Sequence, residues 1–138
     1  ARRAVKLIDF GQSCRIGEVK SRVQGTPGFI APEQAHGGAI TARTDIYNFG
    51  ASMYWALIGE TILTTLASRR HESSLLSGAI APDRLPAPIP PHEVRPEVPA
   101  ELSEVVLRCV QVDPKHRPTT MSEIASSISS NSSTGSGM

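Results

Sequence analysis

From Thr44 to Ile58 the apolar positions Ile46, Phe49, Gly50, Met53, Tyr54 and Leu57 return in steps of three and four, the repeat of one face of an α-helix. Trp55, Ala56 and Ile58 carry the apolar surface well round the cylinder. A helix of that kind is stable only as the core of something larger, and it would otherwise leave the chain marginally stable. Gly59 supplies a stop, and Asp45 in the first turn suits the positive end of the helix dipole.

What can cover this helix is limited by the residues that follow it. Glu60 to Ala81 carries little pattern, and Arg69, Arg70 and His71 read as a solvated patch. Seven prolines between Pro82 and Pro99 exclude a helix or a central strand, so residues 82–99 are expected to run extended over the surface. A proline-rich ligand for a partner module is the sharper reading of the same stretch. Pro99 then opens a second helix over about 100–112, with Leu102, Val105, Val106, Cys109 and Val110 at helical spacing and Asp113-Pro114 as its end. A third helix is expected over about 120–128, with Thr120 and Glu123 as a capping box and Met121, Ile124, Ala125 and Ile128 as its buried stripe. Residues 129–138 have the composition of a flexible linker.

At the other end, Val5, Leu7 and Ile8 lead into Asp9-Phe10-Gly11. The pattern predicts a strand over Lys6 to Phe10 ending in a tight turn, with its partner strand expected just before Ala1. A carboxylate presented at such a turn, beside a glycine that permits close approach, suits a hard cation such as Mg²⁺. Gln12 to Gln24 shows no period and reads as a surface loop. The net charge of +1 comes from interspersed charges, which points to neither nucleic acid nor a membrane surface. Cys14 and Cys109 form no C-x-x-C, fitting a reducing compartment. The four histidines are scattered without metal-ligand spacing. No apolar run approaches the ~20 residues needed to cross a bilayer, so a cytoplasmic location is expected.

Three blocks in order, Asp9-Phe10-Gly11, then Gly25-Thr26-Pro27-Gly28-Phe29-Ile30-Ala31-Pro32-Glu33, then Asp113-Pro114-Lys115-His116-Arg117-Pro118-Thr119, resemble the protein kinase family. Asp45-Ile46-Tyr47-Asn48-Phe49-Gly50 resembles the central helix of its C-terminal lobe. The resemblance implies an α+β, kinase-like fold of which residues 1–128 are a mainly helical C-terminal-lobe portion, with the activation segment at 9–33. It implies that Asp9, Phe10 and Gly11 belong to the ATP–Mg²⁺ site, with Asp9 as the metal ligand and Phe10 packed to set the turn. Thr26 would hydrogen-bond the catalytic aspartate and select serine and threonine substrates. Glu33 and Arg117 would pair and tie the activation segment to the far end of the fold. Asp45 would accept backbone hydrogen bonds from a catalytic loop that has no counterpart in these residues. Ser13, Ser21 and Thr26 are candidate phosphorylation sites beside Arg15, Lys20 and Arg22.

Phosphoryl transfer also needs a phosphate cradle, a lysine and a base or positioning aspartate. The sequence contains no G-x-G-x-x-G loop, no V-A-I-K-like lysine and no H-R-D-x-x-x-x-N run. The first expectation is therefore part of a serine/threonine protein kinase, partnered by ATP, protein substrates and the nucleotide-binding lobe of the same chain, and inactive as these residues alone. The alternative is a kinase-like, non-catalytic module that binds other proteins. Where family members carry proline-phenylalanine after the central helix, this chain has Glu60-Thr61-Ile62-Leu63, a departure at the substrate-docking region.

Overall fold

A computed structural model describes residues 3–62 and 82–132. The expectations for Arg69, Arg70 and His71, and for residues 133–138, lie outside the described residues. Among the described residues five helices follow one another: α1 (Pro32–Ala35), α2 (Ala42–Ile58), α3 (Pro91–Val94), α4 (Ala100–Cys109) and α5 (Met121–Ser132), with 3₁₀ turns at Pro82–Arg84 and Pro114–His116.

α2 is the axis of the structure. It starts at Ala42 rather than Thr44, because Thr41 caps it: Thr41 Oγ1 accepts from the Arg43 N–H at 3.2 Å, and Thr44 Oγ1 reaches back to the Thr41 N–H at 3.0 Å. It ends at Gly59, whose φ of 80° is the left-handed cap that glycine adopts without a Cβ clash. Against it lies α4, and the contact depends on Gly50. A Cβ on Gly50 would stand 2.5 Å from Cys109 Cβ and 2.9 Å from Val110 Cγ1, so only glycine lets the two backbones approach this closely.

Two clusters form the core. Tyr47, Ala51 and Tyr54 of α2 meet Ala31, Ile62, Val106 and Val110 in one, while Ile46, Val105, Cys109 and Ile124 join α2, α4 and α5 in the other. Burial pushes the Cys109 thiol up to about 11, with the Arg108 and Arg117 charges opposing and the Glu123 charge adding. The opposite side of α2 is open, with Phe49 and Trp55 exposed, so the helix is buried on one side and not all round.

Several expectations need correction. Lys6 to Phe10 forms no strand, and Val5, Leu7, Ile8 and Phe10 are exposed. Strand geometry needs a hydrogen-bonded neighbour, and no described segment pairs with these residues in a ladder. Among the described residues there is no strand at all; an isolated antiparallel bridge joins Val19 and Ala39, so the β part of an α+β class is not seen. The proline-rich connection does hold two helical turns, the 3₁₀ turn at Pro82–Arg84 and α3, because a proline at the first position has no N–H to lose. α4 ends at Cys109 rather than near 112. α5 runs on through Ser129 and Ser130 to Ser132 where a flexible tail was expected. Of its expected buried stripe only Ile124 is buried; Met121 and Ile128 face outward, since α4 covers a single line of this helix.

Candidate functional site

The described residues build two connected features around the N-terminal half of α2. The first is a cavity of about 450 Å³ between the 9–24 loop and the first turns of α2, with Asp9, Ser13, Arg15, Lys20, Asp45 and Asn48 among the residues that line it. Asp9 takes a left-handed φ of 63°, a region that aspartate tolerates better than most residues, and it is exposed there. A Cβ on Gly11 would stand 3.4 Å from Asp9 Oδ1, so the missing side chain leaves the space beside the carboxylate open.

The loop that walls this cavity is held by short-range side-chain bonds and by two backbone bonds to Ile40. Lys20 Nζ donates to Gln12 O at 2.7 Å and Gln24 Oε1 at 2.8 Å, and the Arg15 N–H donates to Glu18 Oε2 at 3.2 Å. The Gly17 N–H donates to Ile40 O at 2.6 Å and the Ile40 N–H to Glu18 O at 2.9 Å, which pins the loop tip to the segment before α2.

The second feature anchors the end of the segment. Arg117 is 3% exposed, which leaves its charge no water to fall back on. Protein groups replace that water completely. Nη1 and Nη2 grip Glu33 Oε1 and Oε2 at 2.7 and 2.9 Å, while the remaining donors go to the carbonyls of Gln111 (2.7 Å), Arg43 (2.8 Å) and Val112 (3.0 Å). All five guanidinium N–H groups are thereby used. Arg117 also lies over the Tyr47 ring, 4.9 Å from its centroid.

Burial pushes the Glu33 carboxyl up, but the Arg117 hydrogen bonds, a backbone bond, the Arg117 charge and the Thr44 hydroxyl at 2.9 Å together hold it below the usual carboxylate range. Burial sends the Tyr47 hydroxyl the other way, up to about 12, the Arg117 charge opposing and the Glu33 charge adding.

Asn48 completes the anchor from α2. Its Nδ2 donates to Phe29 O at 2.7 Å and to Gln34 Oε1 at 2.8 Å, and that same Gln34 oxygen accepts the Ala31 N–H at 2.9 Å. Asn48, Gln34, Thr44, Tyr47 and Arg43, which donates to Pro114 O at 2.9 Å, were not among the residues singled out from the sequence. For Gln34 a signal existed, since a glutamine three residues after a helix start is a capping pattern.

The structure thus brings Asp9, Ser13 and Asp45 to one cavity and joins Glu33 to Arg117. It does not bring Thr26 there: Thr26 is exposed in a turn, where its carbonyl accepts the Phe29 N–H at 3.1 Å. Ser21 lies in an exposed bend away from the cavity lining. Phe10 is 67% exposed rather than packed, because no described side chain covers it. No hydrogen bond to the Asp45 carboxylate is made by the described residues, and the side chain is exposed.

Mg²⁺ takes oxygen ligands and is usually held by one or two carboxylates together with phosphate oxygens and water. The Asp9 carboxylate, exposed on the cavity and hydrogen-bonded to no described residue, fits as one such ligand. Among the described residues no helix is long and apolar enough to cross a membrane.

The family described as the protein kinase domain matches residues 1–128. The chain is 35% identical over 123 residues to MDIS1-interacting receptor like kinase 2 of Arabidopsis thaliana, covering 85% of this chain and 12% of that protein. It is 32% identical over 134 residues to the serine/threonine-protein kinase PknB of Mycobacterium tuberculosis, covering 93% and 20%. To the tyrosine-protein kinase MasK of Myxococcus xanthus it is 31% identical over 132 residues, covering 90% and 19%. The chain therefore spans between an eighth and a fifth of the length of these relatives. Since the matched span, residues 1–128, takes in the turn at Asp9 and the Glu33–Arg117 pair and reaches into α5, the chain belongs to the protein kinase domain family.

Proposed function

We propose that residues 1–128 supply the activation segment and the helical base of a domain that transfers the γ-phosphate of ATP to serine or threonine of protein substrates. The observation that carries this reading is the joint placement of an open Asp9 carboxylate on the cavity and a fully bonded Glu33–Arg117 anchor at the other end of the same segment. Asp9 would hold Mg²⁺, which stabilises charge developing on the transferred phosphoryl group when bound. Gly11 keeps the approach to that carboxylate clear. Asp45 would position the catalytic loop by accepting its backbone N–H groups. Thr26, presented in its exposed turn, would meet the catalytic aspartate and the hydroxyl substrate. Ser13, Ser21 and Thr26 remain the candidate phosphorylation sites, and Ser13 shares the cavity with Arg15 and Lys20. The domain would act in the cytoplasm.

Serine/threonine selectivity rests on the Gly25-to-Glu33 run and on relatives such as PknB, while MasK is named a tyrosine kinase. Phosphoamino-acid analysis of substrate labelled by the whole protein should therefore give phosphoserine and phosphothreonine, and phosphotyrosine alone would overturn the selectivity. Asp9→Asn in the whole protein should lower kcat by about 10²-fold or more with the fold unchanged. The 138 residues alone, given labelled ATP and Mg²⁺, should yield background only, because they contain no phosphate cradle or catalytic base. An Asp9→Asn protein with unimpaired turnover would remove the assignment, and a whole protein with no phosphotransfer would favour a module that only binds partners.

A further inference from the structure

Between the 3₁₀ turn at Pro82–Arg84 and α3 the chain is extended, and in it Leu85 and Pro88, three apart, are half-buried, as is Pro90, while Pro86 and Ile89, three apart, are exposed together with Ala87, Ile89 by 58%. Three residues per turn is the repeat of a polyproline II helix. Pro90, with φ −56° and ψ 128°, lies close to that conformation.

The segment is held in place on the body of the protein. Tyr54 Oη donates to Ile89 O at 3.0 Å, and Arg95 Nη1 donates to Leu57 O at 3.2 Å just beyond α3. The carbonyls of Pro86, Ala87 and Pro88, by contrast, accept no hydrogen bond from the described residues. The result is an extended ridge, fixed at Ile89, with Pro86 and Ile89 three residues apart on its outer edge and, among the described residues, no donor to the carbonyls beside them.

We propose that this ridge, Pro86-Ala87-Pro88-Ile89, is a docking ligand for a protein module of the proline-recognising kind. Such modules present a groove walled by aromatic rings, with hydroxyl, indole or amide donors between the rings. The Pro86 ring and the branched Ile89 side chain fill two neighbouring slots of that groove, and its donors bond the open carbonyls. Arg84, exposed immediately before the ridge, meets acidic residues at the groove rim. The Pro88–Pro91 pair, which has the P-x-x-P spacing of a free ligand, lies on the inner edge and is withheld. Because the ridge is already extended, little conformational entropy is lost on docking. The cavity at Asp9 includes none of these residues, so the surface is independent of the proposed phosphotransfer.

The test is an NMR titration of the isotope-labelled chain with three separate probes, an SH3, a WW and an EVH1 domain. At least one should bind with a Kd of about 100 μM or tighter, a modest affinity. The shifts should centre on the amides of Arg84, Leu85, Ala87 and Ile89. Ile89→Asp and Pro86→Ser should each weaken binding by about tenfold while leaving the circular dichroism unchanged. Tyr54→Phe, which releases the Ile89 carbonyl, should weaken it a few-fold. The proposal fails if none of the probes binds at about 1 mM, if the shifts fall elsewhere, if Ile89→Asp binds as well as the native chain, or if a free peptide of residues 83–91 binds more tightly than the folded protein.

Discussion

Residues 9–27 and residues 29–35 belong to one continuous segment but are held in opposite ways. In the first, most side chains are exposed, and its side-chain bonds, such as Lys20 to Gln12 and Gln24, join residues at most eight apart. In the second, Ile30, Ala31 and Pro32 are buried, and Glu33 is gripped by Arg117, 84 residues away. The contrast shows where order in such a segment originates. A buried ion pair with every donor used tolerates no alternative position, whereas an exposed loop can exchange each bond for water at little cost. One end of the segment is thereby fixed to the helical base, and the other is tied down only by the backbone bonds between the loop tip and Ile40 and by exposed side-chain bonds.

The comparison breaks most sharply at Arg117. Arg117→Ala strands the Glu33 carboxylate and the carbonyls of Arg43, Gln111 and Val112, so chemical denaturation should show a loss of about 3–5 kcal/mol. A loss under about 1 kcal/mol would show that the two ends are held alike.

Alkaline pH probes the same buried region more gently. Tyr47 ionises near its ordinary value of 10 in the unfolded chain but at about 12 in the folded one. Its contribution is therefore complete below pH 10 and is lost as pH rises from there towards 12, about 3 kcal/mol in all. Melting temperatures followed from pH 8 to 12 should fall across that window, and Tyr47→Phe should flatten the fall. Glu33 behaves oppositely: its carboxyl is held low, so the stability it adds is present above the ordinary value of 4.5 and is lost as pH drops further.

Smaller effects are expected away from the pair. Thr41→Ala removes the oxygen that caps α2 and should cost about 1 kcal/mol. Lys20→Ala removes both bonds that close the exposed loop and should change global stability by no more than about 0.5 kcal/mol. Proteolysis within residues 12–24 should nonetheless quicken. If Lys20→Ala instead matched Arg117→Ala, the division of the segment into a fixed and a loosely held end would be wrong.

Legibility from sequence followed the range of the interaction. The body of α2 shows in the spacing from Ile46 to Leu57 because one side of a helix must be apolar to pack. Its true start does not, since Thr41 acts through a hydroxyl and Ala42 and Arg43 add nothing to the apolar pattern. The pairing of Glu33 with Arg117 was legible only through family motifs; no local pattern links residues so far apart. The bonds from Asn48 to Phe29 and Gln34 were not legible, since the capping pattern at Gln34 is local and says nothing of Asn48.

By itself the sequence determined the helical periodicities, the cap at Gly59, the absence of any long helix from residues 82–99, and the three motif blocks. These depend on backbone sterics and on side chains a few residues apart. Only the tertiary structure decided that Lys6 to Phe10 stays unpaired, that Ile124 rather than Met121 or Ile128 is the buried contact of α5, and that Arg117 finds five acceptors. A strand, a buried face and a satisfied charge are each defined by what lies opposite. That partner is chosen by the packing of the whole chain, as Gly50 shows by letting α4 come close enough to bring its end to α2.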